Sequence, residues 1–450
     1  MANNENLYDY AKSKYDCKDY TTAVEICEEL WNNSEKNDSN LLSLYGFSLR
    51  KINQSAKFIE IIKGLKDTPL IKNRFVISPL CWCIYDEYIK NYNVEDENRF
   101  EIFLKYANYI TGNIQQEAYN KKVYDDSGFD REIINPYVLT IKKVINIYSE
   151  KVKNRYSRNI YNEIIKWLNK LNPLILSEEC FEFEDAKGKE REMTSSKEFY
   201  YQHMTKALEI TEDFDNCVKI AEIALNVIDK FHYRNKIWIE LRLHYSKCLI
   251  AQNQEEAISH FEKFARKNKI WFIWYRLSSI CYKFGKLDKC LYFGSIAIVT
   301  EYTDEHMVNL FYTLGVLWHN KGDILKAKEF FQAAAYYRYI NTWVISEELG
   351  YYITEYKINI KNHPNRNNII KICEELSGFK TKDKYEYGII KKILPHKGYG
   401  FIETKMLDKD VYFKLSELKM GVNAVPGKKV KYTLIKIENK YIAKHIKEVN

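Results

Sequence analysis

No run of roughly 18 or more apolar residues occurs in the chain, which leaves no segment suited to crossing a membrane as a helix. The opening residues, MANNENLYDY, lack a basic stretch followed by an apolar core, so no secretory leader is expected. Ten cysteines are present, but at irregular spacing that forms no disulfide framework. The nearest two, Cys81 and Cys83 in PLCWCIY, bracket Trp82 in an apolar run, and no second pair stands at metal-ligand spacing. Reduced, buried thiols in a cytoplasmic protein are the expectation, with no metal and no cofactor. Catalytic signatures are missing as well. G-x-x-x-x-G-K-[ST], G-x-S-x-G and H-E-x-x-H do not occur. The nine histidines are isolated, His232 and His244 being the nearest pair. A non-enzymatic chain is expected.

What is present is length, helical periodicity and an uneven charge. At 450 residues the chain suits two or three domains, or an elongated array with a small module attached. The net charge is +8, and the segment from Tyr385 to Asn450, with 14 Lys and 7 acidic residues, accounts for +7 of it. A basic module on a nearly neutral body is what an anion-binding appendage looks like.

The body reads as helix after helix, with a repeat that is clearest in two copies. Trp274, Leu277, Ser278, Gly285, Cys290, Gly294 and Ala297 recur at the same offsets as Phe311, Leu314, Gly315, Gly322, Ala327, Phe331 and Ala334. Small residues let two helices approach, and a glycine permits the turn between them. The pattern resembles the tetratricopeptide repeat. Weaker copies lie at Tyr201–Ala224 and Leu241–Phe264, and two more near the start, one at Leu7–Leu30 and one containing Gly46 and Ile62. Such arrays bury a continuous core and expose a concave face, which implies an unidentified protein partner. The aromatic run Trp271–Tyr275 reads as packing between repeats. Between these copies the signature fades, and Cys180–Glu192 reads as a short hairpin or exposed loop around Lys187-Gly188.

The expected organisation is therefore mostly α with a small all-β domain. Residues 1–70 hold tetratricopeptide-like helices and 71–196 an irregular helical segment with the insertion near 180–192. Further repeats and closing helices fill 197–376, a linker covers 377–384, and the basic module runs from 385 to 450.

In that module the period changes from helical to alternating, with turns at Pro395-His396 and Pro426-Gly427. Alternation places Tyr399 and Phe401 on one face of a strand and Ile402 on the other. On a second strand Tyr412 and Lys414 face outward, Val411 and Phe413 inward. The order GIIK (388–391), KGYGFIE (397–403), DVYFKLSEL (410–418), VPGKKVKYTL (425–434) and IAKHIKEV (442–449) resembles the cold-shock domain, a five-stranded OB-fold barrel with two ribonucleoprotein motifs. The resemblance implies binding of single-stranded RNA or DNA, RNA ahead of DNA. Bases would stack on Tyr399, Phe401 and Tyr412, and Lys391, Lys397 and Lys414 would follow the phosphates.

Three positions depart from the family pattern. Lys392 stands where the family has a Trp, Lys414 where it has a His, and Leu415 where a further aromatic is frequent. Weaker, more electrostatic binding follows, with a salt slope near −3 if about 4 phosphates are neutralised at roughly −0.7 each. The competing readings are a pure protein–protein scaffold with a structural barrel, or an accessory subunit of a nucleic-acid-processing complex.

Overall fold

The computed structural model describes residues 2–34, 36–66, 68–94, 97–116, 135–154, 157–180, 182–184, 188, 190–303, 305–379, 385–404, 410–418, 425–437 and 440–449. Among these are eighteen α-helices, a two-stranded hairpin and a closed five-stranded barrel. The chain divides into two compact units, Met1–Phe261 and Glu262–Asn450. No helix of the described residues is long and apolar enough to cross a membrane.

Successive helices form tetratricopeptide-like pairs. In the first unit these are Ala2–Asp16 with Tyr20–Asn33, Ser39–Lys51 with Ser55–Gly64, and Ser196–Thr211 with Phe214–Val227. In the second they are Trp271–Lys283 with Leu287–Thr300 and Val308–Asn320 with Ile324–Ile340. The intervening turn is the same in all five. A residue at positive φ ends the first helix: Lys18 (64°), Asn53 (59°), Glu212 (65°), Gly285 (69°) and Gly322 (78°). The next N–H then reaches back to a carbonyl in the last helical turn: Asp19 to Lys14, Gln54 to Leu49, Asp213 to Leu208, Lys286 to Cys281 and Asp323 to Trp318, at 2.8–3.0 Å. This αL helix stop consumes carbonyls that the helix end leaves unpaired. Where an Asp follows, it also caps the second helix; Asp323 Oδ1 accepts the Lys326 N–H at 3.1 Å.

The expected glycine thus occupies two of five equivalent turns. The other three hold side chains in a region that costs an L-residue roughly 1–2 kcal/mol. Close helix approach also holds where the repeat is clearest: a Cβ on Gly315 would lie 2.8 Å from the Phe331 ring. Within Trp271–Tyr275, Phe272, Ile273 and Trp274 are buried, so this run packs inside the array.

Between the paired helices lie Arg74–Ile84, Phe100–Asn113, Tyr137–Asn154 and Arg158–Leu168. Strands β1 (Glu182–Glu184) and β2 (Glu190–Glu192) pair antiparallel, Glu182 opposite Glu192. Lys187 of the expected turn lies outside the described residues, while Gly188 adopts φ +73°. The helix Arg366–Ser377 ends at Gly378, and residues 380–384 of the expected linker lie outside the described set.

The module consists of β3 (Tyr385–Leu394), β4 (Tyr399–Glu403), β5 (Val411–Lys414), β6 (Lys429–Ile437) and β7 (Lys440–Glu448). They close in the order β3-β4-β5-β7-β6, with β5 and β7 parallel and every other pair antiparallel. That is the OB-fold barrel. Ile390, Ile402, Val411, Phe413, Val430, Tyr432, Ala443 and Ile446 are fully buried inside it.

Two outcomes are expected. A fragment of residues 385–450 folds alone, because its core is made only of barrel residues; a helical or disordered circular dichroism spectrum would contradict this. Lys18→Gly raises stability by about 1 kcal/mol in urea unfolding by relieving the αL cost, and Asn53→Gly by less, since Asn tolerates that conformation.

Candidate nucleic-acid interface

Strand pairing across β3, β4 and β5 arranges the outward side chains in rows. Lys392 lies opposite Phe401, and Phe401 opposite Tyr412. One step along, Leu394 lies opposite Tyr399, and Tyr399 opposite Lys414. Between these rows Ile393, Gly400 and Phe413 point the other way, Phe413 being fully buried. The alternation therefore divides the aromatics as the sequence reading expects: Tyr399, Phe401 and Tyr412 share the outer face, half-buried, while Phe413 belongs to the core.

The three rings touch one another. Centroids are 5.2 Å apart for Tyr399–Tyr412, 5.7 Å for Tyr399–Phe401 and 6.2 Å for Phe401–Tyr412, with interplanar angles of 43°, 89° and 72°. Edge-to-face contact of this kind is favourable for aromatic pairs. It also means that the faces turn in different directions, so the surface is a faceted cluster rather than a flat plate. Successive bases would meet it at an angle to one another.

The lysines separate into two groups. Lys391 is the extra residue of a bulge between Ile390 and Lys392. Its ammonium pairs with Asp410, Nζ to Oδ2 at 3.0 Å, and the hydrogen bond to that carboxylate is the main reason its pKa is raised. Lys397 sits exposed in the turn Pro395–Lys397 ahead of β4, and Lys414 is exposed at the end of β5. Among the described residues neither of these, nor Lys392, makes an ion pair. The bulge also brings Lys392, which the sequence suggested only as a lost Trp, into the aromatic row. Without knowledge of the bulge, strict alternation from the buried Ile390 would turn it inward.

The geometry sits within a recognised family boundary: the model described as the 'Cold-shock' DNA-binding domain matches residues 386–449. Residues 386–449 form a cold-shock domain. No curated protein sequence matches the chain. Solved structures do resemble it over most of its length. They include the human IFIT1 dimer with m7Gppp-AAAA, at 13% identity, 82% of this chain, 85% of that chain and a TM-score of 0.28. Yeast Tom70 matches at 12% identity, 84% of this chain, 96% of that chain and a TM-score of 0.22. The APC/C hetero-tetramer Cut9–Hcn1 matches at 11% identity, 84% of this chain, 88% of that chain and a TM-score of 0.24. Likenesses so distant carry nothing further about this chain.

Lys392 in the row of the cold-shock domain's aromatics leads to a direct expectation. Lys392→Trp adds a ring beside Phe401 and removes a charge. Affinity for a single-stranded oligonucleotide should rise by about 1 kcal/mol or more, since a stacked base contributes roughly 1–3 kcal/mol. The salt slope should become shallower by about 0.7. Fluorescence anisotropy over a salt series measures both; an unchanged affinity with an unchanged slope would place residue 392 outside the interface.

Proposed function

We propose that this chain is a non-enzymatic cytoplasmic adaptor. Its cold-shock domain binds single-stranded nucleic acid, RNA ahead of DNA, and its helical array binds a protein partner. The row Lys392–Phe401–Tyr412 is the observation that carries the first half of this reading: it combines a cation with two half-buried rings on one strand-crossing line. Stacking tolerates any base, because every base has a π face, while the ammonium groups attract phosphates without regard to sequence. With Tyr399 completing the ring cluster and Lys397 and Lys414 at its margins, binding is loose, salt-sensitive and weakly selective. Lys391 contributes less than the others, since Asp410 competes for its ammonium. The second half rests on the paired helices, which in such arrays leave a concave face for a peptide or protein segment.

The test is binding of single-stranded RNA and DNA oligonucleotides by the full chain, compared with the Tyr399→Ala/Phe401→Ala/Tyr412→Ala variant. Loss of several base stacks should weaken binding by roughly 100-fold or more. For the unmodified chain, log affinity against log salt should have a slope of about −2 to −3, at roughly −0.7 per phosphate for a single strand. Binding that survives unchanged in the triple variant would remove the ring cluster from the interface and favour a scaffold with a structural barrel.

A further inference from the structure

Away from the barrel, the first unit gathers three chemically distinct ligand groups that the sequence holds far apart. The thiol of Cys180, a carboxylate oxygen of Glu192 and a ring nitrogen of His232 all lie within 4.8 Å of one another. Cys180 precedes β1 and Glu192 ends β2, so the hairpin brings its two ends together. His232 lies between the helices Phe214–Val227 and Asn235–Ile250.

The imidazole is held from behind. Its Nδ1 is 2.7 Å from Oε2 of Glu198, a carboxylate with no exposed surface. The other oxygen of Glu198 accepts the His232 backbone N–H at 2.8 Å and the Asn235 side-chain amide at 2.7 Å. Glu198 is itself placed by its helix N-cap, since its N–H donates to Ser195 Oγ at 3.1 Å. With Nδ1–H donating to this fixed carboxylate, the neutral ring carries its lone pair on Nε2. That nitrogen is buried and makes no hydrogen bond. It faces Glu192 Oε2 at 3.2 Å. A lone pair and a carboxylate oxygen at that distance repel unless a positive centre joins them.

We propose that Cys180, Glu192 and His232 bind a divalent transition-metal ion of the zinc class, with Glu198 as the positioning residue on the far side of the imidazole. A carboxylate behind a ligating histidine sets the tautomer and aims the other nitrogen, which is the arrangement Glu198 provides. The mixed donor set selects the metal class: thiolate and imidazole suit zinc, whereas calcium and magnesium prefer oxygen alone. Tetrahedral coordination at about 2.0–2.3 Å separates neighbouring ligand atoms by roughly 3.3–3.8 Å, so the cluster has to contract by at most about 1–1.5 Å. On binding, the Cys180 thiol gives its proton to solvent and its sulfur becomes a ligand; no electron changes hands. Three protein ligands leave a fourth position for water. The bound ion would tie the hairpin to the helices that follow it.

Two features oppose the ion. Cys180 Sγ lies 4.0 Å from Nδ1, the nitrogen turned to Glu198, so the thiol has to swing toward Nε2 to share a metal with it. Lys230 donates to both oxygens of Glu192, at 2.8 and 2.7 Å, and competes for the carboxylate. Its side chain is 66% exposed, so it can withdraw into water.

Cobalt(II) is the probe, added to the full chain after treatment with a chelator. One equivalent should produce a sulfur-to-cobalt charge-transfer band in the near ultraviolet, and zinc(II) should abolish it. Eight of the other nine thiols are buried, and the remaining one, Cys17, lies beyond the first helix, so the band reports Cys180. Cys180→Ser should lose it while keeping the far-ultraviolet circular dichroism of the parent, because residue 180 is only partly buried. Lys230→Gln should tighten cobalt binding by removing the competing ammonium. A parent protein without the band overturns the proposal. A band retained in Cys180→Ser overturns it equally.

Discussion

Phe413 lies over Gly400 so closely that a Cβ at position 400 would sit 2.5 Å from the ring. No other side chain fits there. The contact locks β5 against β4 in one register, with Gly400 opposite Phe413. A slip of one residue would exchange the two faces of the sheet, because side chains alternate with a period of two. Phe413 would then turn to water and Tyr412 would enter the core. The glycine is thus the reason the outer face carries Tyr399, Phe401 and Tyr412 together, and the candidate interface depends on an interior packing event that makes no contact with a ligand.

Related logic operates among the helices with a different element. There the shared feature of the five pairs is the αL stop, and the residue that adopts it varies; the expected copy Leu241–Phe264 lacks it, its first helix ending at Ala251 with φ −69°. Lys18, Asn53 and Glu212 keep the backbone path that Gly285 and Gly322 follow at lower cost. Tertiary packing overrides the local preference, since the buried face of each pair is worth more than the strain of a single residue. Repeat identity survives in the backbone hydrogen bonds after it has faded from the residues.

This explains what the sequence revealed and what it concealed. The Gly-bearing pairs were legible because both the turn residue and the small packing residues, such as Gly315 beneath Phe331, survive in them. The earlier pairs showed only as weaker copies, since Lys18 and Glu212 carry no sign of αL geometry. In the barrel, parity alone separated Phe413 from Tyr412. It did not place Lys392, because a bulge adds one residue to β3 and resets the alternation, an event with no residue signature at Ile390-Lys391-Lys392. Nor did it reveal Asp410 as a competitor for Lys391. The grouping of Cys180, Glu192 and His232 was beyond any reading of spacing, because the hairpin and the helix connection assemble it in three dimensions.

Replacing a stacking ring by Lys392 changes how a binding surface of this size works. A ring holds a base at short range and is nearly indifferent to salt, whereas a lysine acts through a field that salt screens within roughly 8–10 Å. On the proposed interface, Lys392 would therefore favour encounter rate over residence time relative to an all-aromatic face. A fast, weak contact is of little use alone, but it suits a module joined by its own chain to a second binding surface. In the adaptor proposed above, an array holding its partner would present that partner's nucleic acid to the barrel at a raised effective concentration. Under those conditions a weak site is sufficient, and a tight one would hold the partner on nucleic acid it met by chance. For the proposed adaptor, the lysine in the aromatic row would leave selectivity to the helices.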